Sequence, residues 1–237
     1  MTGDPQDRGH VPGGQDPVLI PVLYENDDFL AAAKPEGVLS VSQTGEKGLP
    51  DLLRDRSSGK LFPVHRLDRG ASGVIVFAKN PEAHRDLNGQ FDRREVHKTY
   101  LALVDGVPVS NRGQINAPLR EFGSGRTGVD PKRGKPSSTD WKVAERFDGA
   151  TLLRVSPATG RHHQIRAHLY HIGHPILGDL RYGDKARQEK FPRLMLHAQS
   201  LEFALRSGER VTVEAPPPPS FEAVLAGFRA KKKKEKP

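Results

Sequence analysis

The chain has 237 residues, 35% of them apolar and 28% charged, with a net charge of +8 and no cysteine. This is length enough for one large hydrophobic core, and it excludes disulfide frameworks and thiolate metal sites. No apolar stretch approaches a membrane span, and residues 1–17 lack the apolar centre of a signal peptide. The expectation is therefore a soluble, cytoplasmic monomer with no membrane partner. Half of the positive excess lies in the run from Lys231 to Lys236. A basic excess on body and tail suits a polyanionic partner, and it equally suits an ordinary protein with a solvated tail.

In chain order, residues 1–17 are expected to be a disordered tail. Val18 to Tyr24 and Phe29 to Lys34 read as strands, separated by the turn Glu25-Asn26-Asp27-Asp28. Lys34-Pro35-Glu36-Gly37 is strongly punctuated and predicts a loop. Gly48 to Arg54 suits a short helix with Leu49, Leu52 and Leu53 on one side. Next comes Pro63 to Lys79, where Asp68 stands between Arg66 and Arg69, ahead of Gly70-Ala71-Ser72-Gly73 and an uninterrupted apolar run. That run predicts a strand buried on both faces, so the carboxylate sits on a tight loop at the mouth of a core strand.

Asn80 and Pro81 suit the cap and first turn of a helix running to about Arg94. Lys98 to Val104 alternates as a strand. Asn111 to Lys135 is Gly-rich and basic, and predicts a mobile excursion, either a solvated loop or one that grips a polyanion backbone. Thr139 to Phe147 and Ala150 to Val155 predict a hairpin about Asp148-Gly149. Ile165, Leu169 and Ile172 take helical spacing, with Gly173 as the stop. Leu194 to Phe203 and Arg210 to Glu214 read as strands, and Ala223 to Phe228 as a last short helix. One domain over 18–230 is expected, followed by a basic tail over 231–237.

Among reactive groups, His65-Arg66-Leu67-Asp68 only superficially resembles a kinase catalytic loop, and no P-loop or dinucleotide fingerprint accompanies it. His162, His163, His168, His171 and His174 cluster in sequence, but without the ligand pattern of a zinc site. No metal and no cofactor are expected. Thr159-Gly160-Arg161-His162-His163-Gln164-Ile165-Arg166 admits two readings. One is an anion site at a helix start; the other is a helix capped by Thr159 with solvent-facing arginines. If the helix faces Asp68, Arg166 can supply the cation that keeps the carboxylate ionised. Tyr100 can stack on a planar base. Arg66 and Arg69 can hold a phosphate or fill the gap left by an extruded base.

These segments resemble the RluA-type pseudouridine synthase family. Its central motif, His-Arg-Leu-Asp-x-x-Thr-Ser-Gly, is matched by His65 to Gly73, and its Lys-Pro-x-Gly by Lys34 to Gly37. Its Lys-x-Tyr-x-Ala strand is matched by Lys98 to Ala102, and its Thr-Gly-Arg-x-His-Gln-Ile-Arg-x-His-Leu signature by Thr159 to Leu169. Gly173 to Asp179 and Arg193 to Ala198 complete the set, and the likeness runs from Val18 to Ala215. It implies an α+β fold with a long, mixed, mostly antiparallel sheet, flanking helices and a catalytic cleft. It also implies isomerisation of uridine to pseudouridine in structured RNA, with Asp68, Tyr100 and Arg166 as catalytic residues. Arg66, Arg69, Lys34, Arg161, His163 and Gln164 are the implied RNA contacts.

The subgroup it most resembles modifies large-subunit ribosomal RNA and transfer RNA. Two other classes remain beside this reading: a catalytically silent RNA-binding or chaperone protein on the same fold, and a histidine-ligated metal hydrolase. Ala71 departs from the motif's usual Thr, and a looser catalytic loop is expected from the lost hydroxyl.

Overall fold

The apolar run after Gly73 becomes strand β4 (Ser72–Ala78), buried along its whole length. Its parity divides the core there. Val74, Val76 and Ala78 pack with Ala83 and Leu87, while Ile75 and Phe77 pack with Leu49 and Leu53 on the other face. The computed structural model describes residues 20–54 and 59–234. The expected tail over 1–17 lies outside the described residues, as do residues 235–237.

Ahead of β4 lie β1 (Val22–Glu25), β2 (Phe29–Lys34), α1 (Leu49–Leu52) and the two-residue β3 (Phe62–Pro63). After it come α2 (Pro81–Asp92), β5 (His97–Asp105), β6 (Arg112–Asn116), β7 (Leu119–Glu121), β8 (Thr127–Val129), β9 (Ser138–Phe147) and β10 (Ala150–Pro157). Then follow α3 (Gln164–His171), α4 (Lys185–Gln188), β11 (Leu196–Ala204), β12 (Arg210–Glu214) and α5 (Pro219–Lys234). A ten-stranded sheet runs β1-β2-β4-β11-β5-β10-β9-β6, with β12 beside β11 and β3 beside β4. All its pairings are antiparallel except β4 with β11, where Ser72 and Gly73 face His197 and Ala198. This is the α+β architecture with a long mixed sheet.

Local chemistry explains the boundaries. Asn80 caps α2 by accepting from the Ala83 amide at 2.8 Å, with Pro81 in the first turn. Gly149 (φ 64°) turns the β9–β10 hairpin. Two expectations are corrected. The segment from Asn111 to Lys135 is not a loose excursion: β6 closes the sheet edge, and β7 and β8 form a ribbon whose Leu119 and Val129 pack with Ala167 and Tyr182. Alternation over three to five residues was hidden by its glycines and charges. The last helix is also longer than its apolar spacing suggested. Lys231 to Lys234 continue α5 where a separate tail was expected, because lysine is a good helix former.

Gly73 joins the two halves of the sheet. Its φ is 119°, and a Cβ there would stand 2.1 Å from the Ala198 carbonyl oxygen. Gly73→Ala is expected to cost about 2–4 kcal/mol of stability, combining backbone strain with a displaced strand pair. Urea unfolding of the variant beside wild type checks this, and an unchanged midpoint would refute it.

Candidate active site

Asp68 lies on the loop between β3 and β4. Its carbonyl accepts from the Ala71 amide at 3.0 Å, closing a turn over Arg69 and Gly70. The segment after β2 ties this turn down. Gly37 N donates to Arg69 O at 2.8 Å. Ser40 Oγ donates to Leu67 O at 2.8 Å and accepts from Leu67 N at 2.9 Å. Arg193 holds the far side, donating through Nη2 to Ser72 Oγ (2.8 Å) and through Nη1 to Glu36 (2.7 Å). The Ala71 methyl is buried in the apolar core, and none of these ties uses a hydroxyl at position 71.

Arg166 comes from α3. Its Nη1 donates to Asp68 Oδ2 at 3.0 Å, while Nε and Nη2 grip Asp179 at 2.7 and 2.8 Å. The guanidinium also lies 5.1 Å from the Tyr182 ring centre. Asp179 is in turn fixed by the amides of Arg181 and Tyr182. Burial alone would lower the Arg166 pKa, but the hydrogen bonds and charge of Asp179, then of Asp68, outweigh it and raise it above the usual value. The cation is therefore permanent, and it is aimed at Asp68.

These groups border a cleft of about 520 Å³. Tyr100 of β5 lines it, half-buried, with its pKa pushed up by burial and then by the Asp68 carboxylate. His163 opens α3 in a left-handed conformation (φ 50°), with Nε2 3.9 Å from Asp68 Oδ1. Burial lowers its pKa to about 4, helped by Arg166 and nearby cationic groups against the pull of Asp68, so this imidazole is neutral at pH 7. Arg66 and Arg161 are exposed on the lining.

Three of the expected ligand contacts are corrected. Lys34 is 1% exposed, and its Nζ donates to the carbonyls of Pro35, Val38 and Arg69; it pins the Asp68 turn from within. Gln164 is buried with both ends committed. Its Oε1 accepts from Thr159 Oγ1 (2.6 Å) and Arg161 N (3.0 Å), and its Nε2 donates to Ser138 O and Thr139 Oγ1. Thr159 thus braces Gln164 and does not cap α3, and the Arg161 amide is not free for an anion. Arg69 turns away from the cleft to Glu46 (2.7 Å) and Gly37 O.

Sequence reasoning also missed groups. Asp179 stood inside a quoted motif without a role, although a buried arginine facing one carboxylate calls for a second partner. Arg94 lines the cleft at the end of α2 with φ 62°, a conformation usually left to glycine, and its side chain is exposed. Such strain gathers at functional sites. Among the clustered histidines, His168 uses both ring nitrogens on Thr139 Oγ1 and Ala117 O. Among the described residues no group of three His, Asp or Glu is arranged around a metal position.

Comparison with known proteins adds an independent line. The family model described as RNA pseudouridylate synthase matches residues 28–171. The chain is 39% identical over 223 residues to "Ribosomal large subunit pseudouridine synthase C" of Pasteurella multocida, covering 89% of this chain and 68% of that protein. The protein of the same name from Haemophilus ducreyi is 40% identical, with 89% and 70% covered. Among solved structures, human RNA pseudouridylate synthase domain containing 1 superposes with a TM-score of 0.75 at 30% identity, covering 92% of this chain and 98% of that one.

Lys34 gives the site a pH signature. Burial, then Arg193, lowers its pKa to about 7, against the opposing pull of Asp68 and Glu36. Above pH 7 the folded state sheds this proton while the unfolded chain keeps it to about pH 10.4. Stability from this group is therefore fully present above pH 10.4 and lost as pH falls to 7. The stability of wild type relative to Lys34→Met is expected to rise between pH 7 and 9.5, by up to about 1.4 kcal/mol per pH unit. Urea unfolding at several pH values checks this; parallel curves would refute it.

Proposed function

The chain belongs to the RNA pseudouridylate synthase family and isomerises uridine to pseudouridine in RNA, and we propose that Asp68 is the carboxylate on which this reaction turns. The Arg166–Asp68 contact at 3.0 Å, inside a cleft wide enough for a nucleoside, is the observation that carries the assignment.

The reaction breaks the N1–C1′ bond, turns the uracil and makes a C5–C1′ bond, with the proton lost from C5 balanced by one gained at N1. Atoms and electrons balance without a redox partner. Asp68 acts either by taking a sugar proton or by attacking directly. Both roles need an ionised, fixed oxygen, and Arg166 provides for that by holding one oxygen and leaving the other toward the cleft. Tyr100 is a neutral phenol at physiological pH, so it offers the base a stacking face and a hydrogen-bond donor, and phenolate chemistry is disfavoured.

A uridine reaches such a cleft only by leaving its stack, at a cost of a few kcal/mol. Arg66, Arg94 and Arg161 on the rim offset this by taking phosphates, and Arg66 fills the vacated space. His163, neutral beside Asp68, lets the carboxylate keep its charge partner in Arg166 alone. The names of the relatives support large-subunit ribosomal RNA as the substrate. Transfer RNA is the competing substrate to be assayed beside it.

Asp68→Asn is expected to abolish pseudouridine formation, below about 10⁻³ of the wild-type rate, while RNA affinity stays within a few-fold. Tritium release from [5-³H]uridine-labelled ribosomal RNA measures the first and filter binding the second. Turnover near the wild-type rate would sink the assignment. Asp179→Asn weakens the grip that aims Arg166 and should lower kcat about 100-fold with little change in RNA affinity. An unchanged kcat would remove Asp179 from the positioning role.

A further inference from the structure

A second hollow lies on the sheet itself, behind the catalytic cleft and assigned to no step of the reaction. It is lined by Thr99 and Ser156, by Asp140, and by Arg112, Lys142 and Arg154, with Gly113 and Trp141 between them. Strand register explains the basic row. Arg154 of β10 stands directly across from Lys142 of β9, and Lys142 directly across from Arg112 of β6. Pleating sends these three side chains to the face opposite the row that contains Tyr100, Val155, Trp141 and Gly113.

Three cations on adjacent strands, roughly 4.8 Å apart from strand to strand, repel one another. Like charges directly opposite in a ladder are destabilising. All three residues are exposed. None of the three side chains has a carboxylate, carbonyl or aromatic partner among the described residues. The nearby carboxylate of Asp140 accepts instead from Gln114 Nε2 at 2.9 Å. Three like charges therefore stand side by side with no direct ion pair among the described residues.

The hollow is also close to the reaction. Ser156 lines it and Pro157 lines the catalytic cleft; Thr99 lines it and Tyr100 lines the cleft. The two sites lie back to back through the same stretch of β5 and β10, and β6, which carries Arg112, is the edge of the sheet. On the same face as the basic row, α5 is anchored by Arg229 on Glu145 and by Lys232 on the Arg146 carbonyl, which brings its lysine-rich end alongside β9.

We infer that the Arg112–Lys142–Arg154 row is a second RNA-backbone site, which takes phosphates of the substrate remote from the flipped uridine as the RNA folds around the β6 edge. This rests on the RNA-modifying reading above and adds a surface to it. The row reads charge and not sequence, since it presents cations on a sheet face with no element inserted into a groove.

The test is the triple variant R112A/K142A/R154A beside R112K/R154K. Affinity for transcribed large-subunit ribosomal RNA is expected to fall ten- to a hundred-fold at moderate salt. The slope of log affinity against log salt should become shallower by about 2–3. Turnover at saturating RNA should be unchanged, and so should affinity for a short oligouridylate that fills only the cleft. R112K/R154K should bind like wild type. The triple variant should unfold at the wild-type temperature or above it, since repulsion has been removed.

Unchanged affinity and salt slope in an enzyme that still forms pseudouridine would overturn this site alone. A lower unfolding temperature would also overturn it, by showing that the row has a structural purpose. Loss of binding to phosphatidylserine vesicles with RNA affinity intact would assign the row to a membrane surface instead. A wild-type protein that forms no pseudouridine in any RNA would overturn the catalytic reading and this site with it.

Discussion

The guanidinium of Arg166 is the fixed point of this molecule. A buried cation is tolerated only when its charge and its donors are met, and here three N–H groups are divided between two carboxylates. Asp179 takes the rigid, two-point share and Asp68 the single remaining one. That asymmetry matters, because an arginine held in two-point geometry by Asp68 itself would tie up both Asp68 oxygens. The ribbon of β7 and β8 serves the same end: Tyr182, under the guanidinium, is locked by Thr127 through both its amide and its carbonyl. The glycine-rich stretch that looked loose in sequence is the back wall of the site.

Below the Asp68 turn the polar groups form a second network. Glu36, Arg193, Ser72 and His197 are joined through hydrogen bonds that end at the Ala215 carbonyl, while Lys34 separately holds the Arg69 carbonyl. With Arg193 donating to Ser72, the serine hydroxyl donates to His197 Nδ1, and the imidazole donates its single N–H, at Nε2, to the Ala215 carbonyl. Burial lowers the pKa of His197, consistent with a neutral ring in this chain of donors. The turn that carries Asp68 is thus supported by groups whose protonation is set by burial, while the cleft above it faces water.

Much of this was legible in the chain. The buried strand after Gly73, the Asn80 cap, the β9–β10 hairpin and the Asp68–Arg166 meeting follow from patterns that depend on local chemistry or on a strongly marked motif. What failed depended on direction. Lys34, Arg69 and Gln164 are polar residues inside the right motifs, but whether a side chain points up into the cleft or down into the scaffold is decided by strand ends and neighbouring carbonyls that no spacing reveals. Thr159 looked like a helix cap for the same reason. Its hydroxyl is a capping group in type, and only the left-handed turn at His163 shows that α3 starts later. Asp179 was missed because its partner is identified by burial, which sequence alone does not report.

The parallel contact between β4 and β11 has a consequence for synthesis of the protein. Asp68 precedes the arginine that orients it by 98 residues, and Ser72 precedes its histidine partner by 125. A chain emerging from the ribosome can make the β2–β4 antiparallel pair early, but strand β11, which lies between β4 and β5 in the sheet, arrives late. Contacts of such separation are slow to form because long loops must close first. Until then the nascent chain holds a carboxylate without its cation and a core strand with an open edge. The Asp68–Arg166 pair and the β4–β11 contact therefore belong to the nearly finished polypeptide, and products truncated before Arg166 would carry the Asp68 motif without its cation.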